Sequence, residues 1–129
     1  YAASSKIIYR KDVTLPFIRD ATNSGIRGIV VEAFGAGNVN TEVFEAIKYA
    51  LSKNVIVVVS SQVQNGAVLP IYGGSGGASL KEAGAILSGE LSGPKARILL
   101  MLVLSDDRCN SKNKKLCVKQ VLMYSKRSI

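Results

Sequence analysis

The chain contains no histidine and no tryptophan, and only two of its 129 residues are cysteine. Without histidine, neither a Ser-His-Asp triad nor a Cys-His pair can be assembled. Two cysteines alone also fall short of the four ligands of a structural zinc site. Long apolar runs are missing too. The longest candidate, Ile98 to Leu104, has seven residues, against the 18 or so that mark a membrane helix. It follows Lys95 and Arg97 and reads as a buried helix face. Tyr1-Ala2-Ala3-Ser4-Ser5 is too short and too polar for a signal peptide. An initiating methionine is absent as well, which leaves a removed leader or an excised piece open. Carboxylates are few, nine in all, and scattered, so no paired acid–base set stands out.

What is present is the composition of a globular chain, 47% hydrophobic and 20% charged. Its length suits one domain, or one domain with a tail. The net charge of +8 would suit a polyanionic partner if it were spread over the domain. It is not: residues 1–104 carry ten Lys/Arg against seven Asp/Glu, and residues 105–129 carry seven against two. No aromatic RNA-binding motif, zinc-finger spacing or helix-turn-helix signature accompanies the charge. Nucleic acid is therefore not an expected partner, and attachment through the tail ranks last among the possible readings. Cys109 and Cys117 both lie in that tail. A local disulfide in an oxidising compartment and two unpaired thiols both stay open.

The patterning alternates between strand and helix. Lys6-Ile7-Ile8-Tyr9 is compatible with a strand. Leu15 to Asn23 shows a helical face with Pro16 in its first turn, and Gly25 stands where a left-handed helix stop belongs. Gly28 to Phe34 is rich in β-branched residues and begins a second strand. Asn40 or Thr41 caps a helix bearing Val43, Phe44, Ile47, Ala50 and Leu51, and Asn54 ends it. Val55-Ile56-Val57-Val58-Val59 predicts a central parallel strand buried on both faces. A helix over Ser79 to Ala83, a strand at Ala85-Ile86-Leu87, and a helix capped by Ser92 follow, the last with Leu99, Leu100, Leu102 and Val103 inward. The expected fold is α/β: a small open parallel sheet of about four strands with helices on both faces. The expected division is an α/β domain over 1–104 and a basic, Cys-containing, poorly packed or divergent tail over 105–129.

Ligands of open parallel sheets bind beyond the carboxyl ends of the strands. The loop Gly35-Ala36-Gly37-Asn38 follows strand two. By pattern alone, Asn38 either caps the turn ahead of the next helix or holds its amide at the rim of the sheet. Ser60 to Gly66 follows strand three with hydroxyls and amides, although Asn65-Gly66 is an ordinary turn pair. Gly73-Gly74-Ser75-Gly76-Gly77 lacks the Lys-Ser/Thr of a phosphate-binding loop and reads as a connection. Glu32 lies within strand two and can be buried. Lys95 and Arg97 sit at the unfavourable end of their helix dipole, which points to an anionic partner, a subunit contact or a solvated pair. No metal or cofactor site is expected.

An ordered set of segments resembles the C-terminal domain of bacterial-type L-asparaginases and glutaminase-asparaginases. It comprises Gly25 to Asn38, Val57 to Val63, Gly66 to Tyr72 and Gly84 to Met101, and it covers about residues 6 to 104 in all. The resemblance implies an amidohydrolase acting on L-asparagine, with catalysis divided between two domains. A nucleophilic threonine near a Thr-Gly-Gly-Thr-Ile turn, a Thr-Asp pair and a lysine belong to an N-terminal half, and none of those motifs occurs here, so this chain is expected to be inactive alone. It also implies a homodimer or tetramer in which the asparagine of the Gly-x-Gly-Asn loop, here Asn38, reaches a neighbouring subunit's substrate pocket. Where many members hold the substrate's amino group with a glutamate, this chain has Gly73. Past Leu104 the resemblance is expected to stop, although the family ends in another helix. The alternative reading is a non-catalytic binding or oligomerisation module derived from that domain. No membrane association is expected, and the compartment stays open between cytoplasm and periplasm or secretion.

Overall fold

The computed structural model describes residues 4–8, 14–33, 39, 41–61, 77–109 and 112–127. Strands and helices alternate as β1 (Ser4–Ile8), α1 (Thr14–Asn23), β2 (Gly28–Ala33), α2 (Thr41–Ser52), β3 (Ile56–Ser61), α3 (Gly77–Ala83) and β4 (Ile86–Leu87), followed by α4 (Gly93–Ser105) and α5 (Lys114–Arg127). All strand pairings are parallel, in the order β1-β2-β3-β4, with Gly28 opposite both Ser4 and Ile56. This is the α/β sheet the patterning predicts.

One turn recurs at each return from helix to strand. Gly25 (φ 92°), Asn54 (φ 64°) and Gly84 (φ 113°) follow α1, α2 and α3 in the left-handed conformation. The next residue's N–H reaches back to the last helical turn: Ile26 to the Ala21 carbonyl, Val55 to that of Ala50, and Ala85 to that of Leu80. These bonds satisfy carbonyls the helix end would otherwise orphan. They also turn Val55 and Ala85 into the core, with Ile26 packed against it. Local chemistry thereby sets where each strand begins, and so sets the register.

Because the strand order runs one way, crossovers of a single hand all fall on one face. There Ile18, Val43, Ile47 and Leu80 of α1–α3 meet Ile29, Val31, Val57 and Val59. The opposite face carries Val30, Ile56, Val58 and Ile86, and it is covered by Leu100 and Leu104 of α4 with Val118 and Leu122 of α5. β3 is thus apolar on both sides, which explains its unbroken run.

Two expectations are corrected. Leu102 does not point inward: it is 63% exposed, whereas Ala96, Leu100, Val103 and Leu104 are buried. A helix apolar on every side offers no periodic signal to choose its inner face. Nor are the described residues after 104 poorly packed, since Val118 and Leu122 are buried and α5 lies on α4. Two cations cap the end of α4 on the Leu104 carbonyl, Arg27 donating at 2.9 Å and Lys114 at 2.7 Å. They suit the negative end of that helix. Cys109 and Cys117 form a disulfide across the α4–α5 turn. Ser92 holds the N-cap position of α4 but makes no side-chain capping bond. No helix among the described residues is long and apolar enough to cross a membrane.

A Cβ added at Gly25 meets nothing within 4 Å, so its cost isolates the left-handed backbone. Gly25→Ala is expected to lower stability by about 1–2 kcal/mol, read as a lower urea midpoint at unchanged slope. Replacing both cysteines with serine releases a closed loop spanning a separation of 8 residues. It should cost about 2–3 kcal/mol, and thiol titration of the unreduced wild-type chain should find no free cysteine.

Candidate functional site

The carboxyl ends of β2, β3 and β4 gather polar side chains on the α4 side of the sheet. Glu32 and Ser60 are register partners, and Ser88 follows β4. Alternation places all three on the face of Val30, Val58 and Ile86. All three are buried, Ser60 and Ser88 completely. Ser88 is satisfied twice: its N–H donates to the Val59 carbonyl at 2.9 Å, and its hydroxyl to that of Leu91 at 2.9 Å. Among the described residues, the Ser60 hydroxyl has no hydrogen-bond partner.

The Glu32 carboxylate sits against Gly93, the first residue of α4, so closely that a Cβ there would overlap Oε1. The positive end of a helix, with its free N–H groups, is where a buried carboxylate belongs. Glu32 therefore fixes the start of α4, and glycine at 93 lets the helix come down onto it. Ser60, expected in the loop after strand three, instead lies within β3 and is fully buried. Ser88 was not singled out by the sequence. Its signal is only that β2, β3 and β4 each end their apolar run in a polar residue on the same face.

Asn38 lies outside the described residues, as do Gly35 to Gly37, Gln62 to Gly66 and Gly73 to Gly76. The elements that flank the Asn38 loop are described. Ala33 at the end of β2 is buried, and Val39 is buried in the same cluster as Val43 of α2. Lys95 is exposed on α4, and Arg97 lies on the same helix. Among the described residues, no nucleophile is paired with a base, and no group of three or more Asp, Glu or Cys is placed to hold a metal ion. Nor do the described strands reverse their order, so this sheet alone creates no switch-point crevice.

Gly93→Ala should therefore cost about 1–3 kcal/mol through overpacking against Glu32. The penalty should shrink by about 1 kcal/mol or more in a Glu32→Ala background, read as the coupling energy of a double-mutant cycle. A purely additive cycle would separate the two residues.

A family model described as Glutaminase/Asparaginase C-terminal domain matches residues 11–116. The match runs past Leu104 into the first turn of α5. The L-asparaginase of Bacillus licheniformis is 32% identical over 99 residues, covering 76% of this chain and 31% of that protein. A probable L-asparaginase of Deinococcus radiodurans is 39% identical over 79 residues, covering 60% and 24%. A probable periplasmic L-asparaginase of Haemophilus influenzae is 34% identical over 88 residues, covering 67% and 24%. The crystal structure of L-asparaginase I from Vibrio cholerae shares the fold with a TM-score of 0.75 at 24% identity, over 92% of this chain and 36% of that one. The chain spans a third or less of the sequence relatives it matches.

Proposed function

Since the chain belongs to the glutaminase/asparaginase family, through that family's C-terminal domain, we propose that it works as the non-nucleophilic half of an L-asparaginase-type amidohydrolase. The observation that carries this reading is the family match over residues 11–116, in a sheet whose described residues hold no nucleophile–base pair. The nucleophile comes from an N-terminal half. There a threonine hydroxyl attacks the side-chain amide carbonyl of asparagine, ammonia leaves, and water hydrolyses the acyl intermediate to aspartate. This domain's part is to complete a neighbouring subunit's pocket. Asn38, the asparagine of the Gly-x-Gly-Asn sequence that follows β2, offers an amide that both donates to and accepts from the substrate. The assembly is a homodimer or a tetramer of such subunits.

A second reading, a non-catalytic binding or oligomerisation module, is favoured by the same absence of a nucleophile–base pair among the described residues. Adding an N-terminal asparaginase domain in trans separates the two. Ammonia release from asparagine should appear only in the mixture, and Asn38→Ala should raise KM about tenfold, the worth of one or two hydrogen bonds. A stable complex with no ammonia release at any ratio would leave the module reading standing.

A further inference from the structure

The Cys109–Cys117 disulfide joins the turn after α4 to the first turn of α5, across a separation of 8 residues. Both cysteines are half-buried and pack on the core cluster beneath α4 and α5, with the remainder of each open to solvent. A disulfide that solvent reaches can be attacked by a thiolate, whereas a sealed one is inert.

The two sulfurs stand in opposite electrostatic settings. Cys117 closes the first turn of α5, where free N–H groups make the helix end positive. Lys114 and Lys115 precede it and Lys119 follows, and from Arg108 to Ile129 the chain has seven Lys/Arg and no Asp or Glu. Desolvation and then the Lys119 charge hold the Lys115 ammonium below its ordinary value, a sign of how densely positive charge is set there. Cys109 stands at the other pole. Its N–H donates to the carbonyl of Asp106, the C-cap of α4, so it lies at the negative end of that helix. Asp107 is exposed two residues before it, and Arg108 is engaged by the Asp106 carboxylate at 2.8 Å. Negative charge is thus stabilised on the Cys117 sulfur and opposed on that of Cys109. In thiol–disulfide exchange, the sulfur with the more stable thiolate leaves faster.

We propose that this disulfide is an exchange site for a low-molecular-weight thiol, attacked at Cys109 with Cys117 leaving, and that its opening frees α5 from the sheet. In the first step the incoming thiolate bonds to the Cys109 sulfur, and the electron pair of the broken S–S bond goes to Cys117 as thiolate. A second thiolate attacks the sulfur of the bound thiol, forms the oxidised dimer of that thiol and releases Cys109 as thiolate. Two electrons pass from two thiols to the protein, and their two protons go to the two cysteines. α5 is otherwise held by little: Val118 and Leu122 are its buried apolar side chains among the described residues, and Lys114 bonds the Leu104 carbonyl at 2.7 Å. A segment with so few buried contacts opens locally, ahead of global unfolding. α4 keeps its own hold through Ala96, Leu100, Val103 and Leu104. The inference does not rest on the amidohydrolase reading.

The test is to treat the 129-residue chain with reduced glutathione at neutral pH and quench it with iodoacetamide. Peptide mass mapping should place the glutathione adduct on Cys109 and the alkyl group on Cys117, with a bias of at least about threefold. Asp107→Lys, at an exposed position, should reduce that bias at least about twofold by removing the carboxylate near Cys109. In the fully reduced chain, the amides from Val118 to Leu122 should exchange hydrogen at least about tenfold faster, with those of β2 and α2 unchanged. The Cys109→Ser/Cys117→Ser chain should show the same fast α5 and no further response to thiol. No reaction with glutathione, an adduct on Cys117 in equal or greater amount, or a bias indifferent to Asp107→Lys overturns the exchange site. Unchanged α5 exchange on reduction, or an increase shared by β2 and α2, overturns the release of the helix.

Discussion

β3 is apolar on both of its faces, and the sheet therefore stands only while both faces are covered. Fully burying each Val, Ile or Leu is worth about 1.5–3 kcal/mol. Each face holds several of them, and a domain's net stability is only about 5–15 kcal/mol. Stripping either layer of helices would thus exceed the whole margin. The one-way strand order puts α1, α2 and α3 on a single side, so the second layer has to come from α4 and α5. That need makes the disulfide, the two cations on Leu104 and the Glu32–Gly93 junction structurally important: each fixes the second layer in place.

The same arrangement shapes what the domain can do. A sheet whose crossovers all lie on one side forms no crevice of its own where connections diverge. The polar groups at its carboxyl edge on the α4 side are buried, and they anchor a helix instead of facing a ligand. The chain spans a third or less of the sequence relatives it matches.

The candidate site was legible in the sequence only where a residue carried a recognisable local setting. Asn38 was marked by glycines on its amino side and by the family resemblance. Glu32 was marked as a carboxylate inside an apolar strand. Ser60 and Ser88 carried no such mark, because a serine at a strand end is as ordinary in a turn as in a buried junction. Their burial depends on α4, which begins more than thirty residues after Ser60 and leaves no trace in the pattern around that residue.

The elements from β1 to α4, their order and the fold class followed from the sequence by itself, because the relevant forces are local or periodic, whereas the helix α5 was not foreseen. A run of β-branched residues favours a strand, and a glycine or asparagine after a helix accepts the left-handed turn that begins the next strand. The faces of α4, the packing of α5, the pairing of Cys109 with Cys117 and the contact of Glu32 with Gly93 were decided by the tertiary structure alone. From Ile98 to Leu104 α4 is apolar all round, so those residues rank no face above another. α5 has a thin apolar stripe that gains a partner only where the sheet lies bare. Contacts between distant segments depend on how layers stack, and that information lies in the assembled geometry, where each buried group must find room and a counterpart.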